Sequence, residues 1–200
     1  MRLLLFALLL SLIPDIAAAQ LVELKEKGVL IVRLESGVKQ KNYLHSKIEE
    51  GKNIEKWERL LAEREAAVNT KNQTIIRLFK SEYNFSDILF MYDFNSKALR
   101  DGSSEAIFLN QKMEVDKQLQ LNGRPFLVVT ETPSESGAEG FAVLDGDLER
   151  VKKPTPDFIK FNTIFYLFNS LGSTTTADEK MYRQAIRRLQ KKFEKGMVKG

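Results

Sequence analysis

Few residues in this chain could do chemistry, and their types exclude more than they allow. There is one histidine, His45, and no cysteine. A nucleophilic triad would have to run through His45, which lies in a polar stretch, and no Gly-x-Ser-x-Gly elbow occurs in the sequence. His45 is therefore expected to be solvated, with no catalytic residue of this kind. Without thiolates, a metal could be held only by oxygen ligands. Asp145, Asp147 and Glu149 have the first three spacings of a calcium loop. Arg150 and Pro156, however, stand where that loop needs glycine and glutamate, so a plain turn and no metal are expected. No glycine-rich phosphate cradle follows a strand; Glu35-Ser36-Gly37 is the nearest approach, and no cofactor is expected.

Two charged clusters remain. Glu131, Glu135 and Glu139 lie in and beside the loop Thr132–Gly140, and two well-placed carboxyl groups suffice for glycoside hydrolysis. The only tryptophan, Trp57, lies on an apolar helical stripe, away from any role as a sugar platform, which favours a solvated acidic loop. The second cluster is basic. From Ala177 to the end there are eight Lys and Arg against three acids, so the net charge of +4 belongs to this segment. Arg183, Arg187, Arg188, Lys191 and Lys192 would face an anionic surface (a membrane, lipopolysaccharide or an acidic protein) if they do not simply face solvent.

The elements that position these residues can be read from periodicity. Gly28–Leu34 is an apolar run broken only by Arg33, as expected of a strand covered on both faces with Arg33 reaching solvent near its end. Gln20–Glu26 leads into it. Tyr43, Leu44 and Ile48 fit a short helix stopped at Gly51. Asn53 is placed to cap a long helix over Ile54–Glu82, where Ile54, Leu61, Val68 and Ile75 recur every seven residues. At 1.5 Å per residue that helix is roughly 43 Å long. Poor helix formers at Asn69–Thr74 predict a bend or fray, and Arg64 and Lys71 occupy positions that a coiled-coil seam would fill with apolar residues.

A second strand is expected at Asp87–Phe94, giving a β-α-β unit from Lys27 to Phe94. Further strands are expected at Ala106–Leu109, Met113–Leu121, Pro125–Thr130, Phe141–Leu144 and Leu148–Val151, with Asn122-Gly123 as a hairpin turn. Asp157 is placed to cap a helix through Phe168. The box Thr176-Ala177-Asp178-Glu179 opens a last helix with the stripe Tyr182, Ala185, Ile186, Leu189 and Phe193. The expected fold class is α/β: a mixed sheet of five to seven strands on the β-α-β unit, with the long and C-terminal helices over its faces. A thioredoxin-like arrangement is compatible with this order, though redox-inactive without cysteine.

Residues 1–19 read as a secretory signal, with Arg2, the apolar run Leu3–Ile13 and small residues at Ala17 and Ala19. A membrane span is the alternative, but the run falls short of the ~20 apolar residues a bilayer needs. Residues 20–200 then form one domain, periplasmic or secreted, with no later spanning segment. A 43% hydrophobic chain of this length can bury a core without disulfides.

The segments Leu24-Lys25, Gly28–Leu34, Ile75-Ile76 with Phe79, Tyr83-Asn84-Phe85, Ile88–Tyr92, Gly140-Phe141, Leu144-Asp145 and Lys153-Pro154 with Pro156 together resemble an uncharacterised family of exported proteins from Bacteroidota-type bacteria. The resemblance implies export and a shared fold; the family lends no activity to any residue. The leading expectation is a non-enzymatic structural or binding domain of unknown partner, with nucleic acid excluded by export. Carboxylate-based hydrolysis at the 131–140 loop and anionic-surface binding by the basic helix are the alternatives.

Overall fold

The computed structural model describes residues 16–103, 107–153, 155–162 and 174–198. It is an α/β fold around one six-stranded mixed sheet. In chain order the elements are α1 (Ile16–Lys27), β1 (Val29–Leu34), α2 (Val38–Glu49), α3 (Ile54–Glu82), β2 (Asp87–Tyr92), a 3-10 turn (Asp93–Asn95), α4 (Ser96–Arg100), β3 (Phe108–Leu109), β4 (Phe126–Pro133), β5 (Glu139–Leu144), β6 (Phe158–Lys160) and α5 (Thr174–Val198). The sheet order is β3-β2-β1-β4-β5-β6, with β1 central and parallel to both β2 and β4. The outer pairs β2–β3, β4–β5 and β5–β6 are antiparallel.

Alternation along the strands sends side chains to two unequal layers. Leu30, Val32, Leu34, Phe90, Leu127, Val129, Phe141 and Val143 face α1, α3 and α5. Val29, Ile31, Leu89, Met91, Val128 and Ala142 face α4 and the irregular chain between β3 and β4. Among the described residues, α1, α3 and α5 thus cover one face, where both faces were expected to be helix-covered. Phe79, Phe141, Phe161 and Tyr182 form a ring cluster at the centre of the helical layer, with Phe141 and Phe161 edge-on at 5.0 Å. All five stripe residues expected in α5 are buried.

Several local expectations are corrected. Gln20–Glu26 leads into β1 as expected, and does so as part of α1, whose Leu21 and Leu24 are buried in the core shared with β1 and α5. Helix α3 runs unbroken through Asn69–Thr74, so there is no fray there. Asn72 faces inward, and its Nδ2 donates to the Glu35 carbonyl at 2.7 Å. Asn53 precedes α3 in the left-handed region and makes no side-chain cap.

Met113–Leu121 is a series of turns that pairs with β3 only at the Leu109–Val115 bridge and the Asp116 N–H to Phe108 carbonyl bond, and packs Leu119 and Leu121 against the sheet. Asn122-Gly123 does form a tight turn, both residues having positive φ, but it joins that irregular chain to β4. Leu148–Val151 contributes only a bridge from Arg150 to Leu144. Phe158–Lys160 is an edge strand, because β5 still has unpaired backbone groups there; the rest of the helix expected after Asp157 falls at 163–173, outside the described residues. Residues 1–15 of the expected signal also lie outside them. No helix among the described residues is long and apolar enough to cross a membrane.

Candidate functional site

Because β1, β2 and β4 are parallel, their carboxyl ends share one edge of the sheet, and loops leaving that edge bring charged residues together. Glu35 follows β1, Asp93 follows β2, and Glu131 lies in β4 next to the Arg33–Thr130 pair. The chain turns from β1 towards β2 and β3, then returns to place β4 on the other side of β1. The strand order therefore reverses between β1 and β4, the position where open α/β sheets form binding crevices. A crevice of approximately 150 Å³ lies there, with Arg33, Glu35, Lys71, Asp93, Thr130 and Glu131 on its walls.

On the helical side the hub is Lys71 of α3. Its Nζ lies 3.0 Å from Glu131 and 3.1 Å from Glu35. Arg64, two turns earlier on the same helix face, also pairs with Glu35. The Tyr182 hydroxyl of α5 donates to Glu131 at 3.1–3.2 Å. Burial opposes charge on Lys71, but Glu131 and Glu35 outweigh it and raise its pKa above the ordinary lysine value. Burial pushes the Tyr182 hydroxyl far up, and Glu131 adds to the shift. Burial also raises the Asp178 carboxyl, with Lys71 working against the shift.

On the opposite side of the sheet the central group is Arg33. The residue expected to reach solvent is half-buried instead, because its position in β1 points under α4. Its Nε donates to the Thr130 hydroxyl at 3.0 Å and its Nη1 to the Ser96 hydroxyl at 3.2 Å. No carboxylate pairs with Arg33 among the described residues. Burial lowers its pKa, partly offset by Asp93 nearby. Asp93 is itself turned to accept the Ser36 backbone N–H at 3.2 Å.

The acidic loop does not assemble as a site. Residues 131–133 and 139–140 are paired strand, leaving a tight turn over 134–138. Glu131 faces inward, whereas Glu135 and Glu139 are exposed. His45 is exposed on α2. Asp145 accepts the N–H groups of Asp147 and Glu149 in a closed turn.

Part of the basic face of α5 is occupied. Arg183 and Arg187 both bind Glu82 at the end of α3, each at 2.7 Å. Arg188 donates to the Gln184 carbonyl and Lys192 to that of Phe158, while Lys191 is exposed.

No family model, curated protein or solved structure matches the chain. The reading of the crevice therefore rests on its own chemistry.

Proposed function

We propose that this is an exported, non-enzymatic binding domain whose ligand site is the crevice at the carboxyl ends of β1 and β4. The observation carrying the proposal is that two of the three acids on the crevice walls, Glu35 and Glu131, are closed on the same cation, Lys71, while the third, Asp93, accepts the Ser36 N–H. Hydrolysis by paired carboxyl groups needs one protonated acid and one carboxylate. Here one ammonium holds both acids, and the Tyr182 hydroxyl also occupies Glu131, so neither is open to a scissile bond. The groups converge on a fixed, polar, partly enclosed surface with no activated nucleophile, which suits recognition rather than turnover.

Export is supported by the signal-like residues 1–19, by the absence of cysteine and by the resemblance to exported proteins. In its support too, Ala19 is exposed, and Leu21, two residues later, is fully buried. Cleavage after Ala19 would leave the core contacts of α1 in place.

Amide chemical-shift screening with a chemically mixed set of small molecules is expected to find ligands whose shifts centre on Glu35, Asp93 and Glu131. Chromogenic glycosides and esters are expected to remain intact. Turnover that Glu131→Gln abolishes, or ligand shifts confined to other faces, contradicts the proposal.

A further inference from the structure

Resting on the reading of the crevice as a ligand site, we infer that its ligand is a small oxyanion, a carboxylate or phosphate group held by Arg33. Among the described residues, Lys71, Arg64 and Asp93 at this edge each have a partner of opposite charge or a backbone donor. Lys71 has Glu35 and Glu131, Arg64 has Glu35, and Asp93 has the Ser36 N–H. Arg33 has two hydroxyl groups and no carboxylate. A half-buried guanidinium loses much of its hydration, and two neutral acceptors return only part of it. Its remaining N–H groups form a planar fork, the geometry that carboxylate and phosphate match in bidentate fashion.

The surroundings of Arg33 fit such a ligand. Beside the guanidinium, and sharing Arg33, Glu35 and Asp93 with the crevice, is a second cavity of approximately 500 Å³, within the size range of small-molecule sites, whose wall also includes Ser36, Gly37 and Lys39. The first turn of α2 is part of that wall, and Gly37 enters it with φ of 67°. The Ser36 hydroxyl accepts the Val38 N–H. The next amides, of Lys39 and Gln40, lie at the positive end of a twelve-residue helix. Lys39 adds an exposed ammonium. Two carboxylates on this wall oppose an anion; Glu35 is already closed on Lys71 and Arg64, which leaves the charge of Asp93. The site is therefore expected to take its ligand with moderate affinity and to tighten when that charge is removed.

The test is a pair of titrations of the full chain, one with inorganic phosphate and one with succinate, at constant ionic strength. Amide shifts and the Arg33 Nε–H resonance provide the readout. Saturable shifts at Arg33 and at Ser36–Gln40 are expected with at least one anion, and whichever anion saturates assigns the ligand as phosphoryl or carboxylate. Arg33→Met is expected to weaken binding about tenfold or more, Arg33→Lys to weaken it less, and Asp93→Asn to strengthen it about threefold. If Arg33→Met does not fold, Arg33→Lys and Asp93→Asn decide the matter. Absence of saturation at these amides with both anions overturns the inference, as does an unchanged affinity in the Arg33 variants. Neutral molecules that shift the crevice amides where both anions fail would overturn the oxyanion assignment and leave the binding site standing. Failure of every ligand removes both.

Discussion

Replacing Lys71 by methionine separates a structural ion network from an incidental surface pair. Methionine has nearly the same helix propensity and keeps the aliphatic stem, so the loss is electrostatic. Breaking a fully buried pair costs about 3–5 kcal/mol, whereas exposed pairs contribute about 0–1 kcal/mol. Lys71 is 31% exposed, Glu131 21% and Glu35 30%, so the site lies between these limits. Arg64 still serves Glu35 and Tyr182 still serves Glu131 after the change, which limits the damage. Lys71→Met is therefore expected to cost about 2 kcal/mol in urea unfolding at pH 7.

The pH dependence supplies a second signature of the same network. The folded pKa of Lys71 is raised above 10.5, because its two carboxylates outweigh the opposing effect of burial. Its stabilisation is fully present below the unfolded value and is lost as pH rises through the higher folded value. Wild-type protein should lose this part of its stability only above about pH 10.5, and the Lys71→Met variant should lack that part of the decline. A cost under about 0.5 kcal/mol, or strict additivity of Lys71→Met with Glu131→Gln, refutes the network.

Three further outcomes are expected. Tyr83 and Tyr182 have hydroxyl pKa values pushed far above 10.0 by burial, so in ultraviolet titration these two should stay protonated until the chain unfolds; release of both near pH 10 contradicts their placement. Glu82, with its side chain only 9% exposed, holds Arg183 and Arg187, so Glu82→Gln is expected to cost about 1–3 kcal/mol in denaturant unfolding, and a neutral result would mean the α3–α5 contact does not depend on it. A Cβ at position 140 would sit 2.5 Å from the Ile159 carbonyl oxygen and 2.5 Å from the Phe158 ring, so Gly140→Ala should cost about 1–3 kcal/mol and release β6, read as faster amide exchange at Ile159 and Phe161.

The scaffold was legible because its signals are long. The apolar run of β1, the seven-residue recurrence in α3 and the stripe of α5 each repeat over several turns or alternations, and tertiary contacts did not override them. Short signals failed where a neighbour supplied a better partner. Phe158 and Phe161 fit a helical period, but the free edge of β5 captured the backbone between Phe158 and Lys160. Met113, Val115, Leu119 and Leu121 alternate like a strand, yet β3 is only two residues long and offers little to pair with. In α1, two leucines one turn apart are too brief a pattern to stand out beside an apolar leader.

The site was present in the sequence as exceptions. Arg33 interrupts an apolar strand, and Arg64 and Lys71 interrupt the inner face of a helix seven residues apart. Each reads as an isolated lapse in a hydrophobic pattern. Only the parallel pairing of β1 with β2 and β4 shows that these lapses meet at one edge, with Glu35 and Glu131 between them. Spacing within one element cannot reveal that, because the partners come from β1, α3, β4 and α5. Local breaks in an otherwise consistent pattern are where functional sites are to be sought.

The most direct test of the crevice as an oxyanion site is a crystal structure of the full chain soaked in selenate, with the selenium located by anomalous scattering. The account predicts a peak between the Arg33 guanidinium and the first turn of α2, absent in crystals of Arg33→Met. Selenate bound only along the exposed lysines of α5, with the Arg33 fork unoccupied, contradicts it.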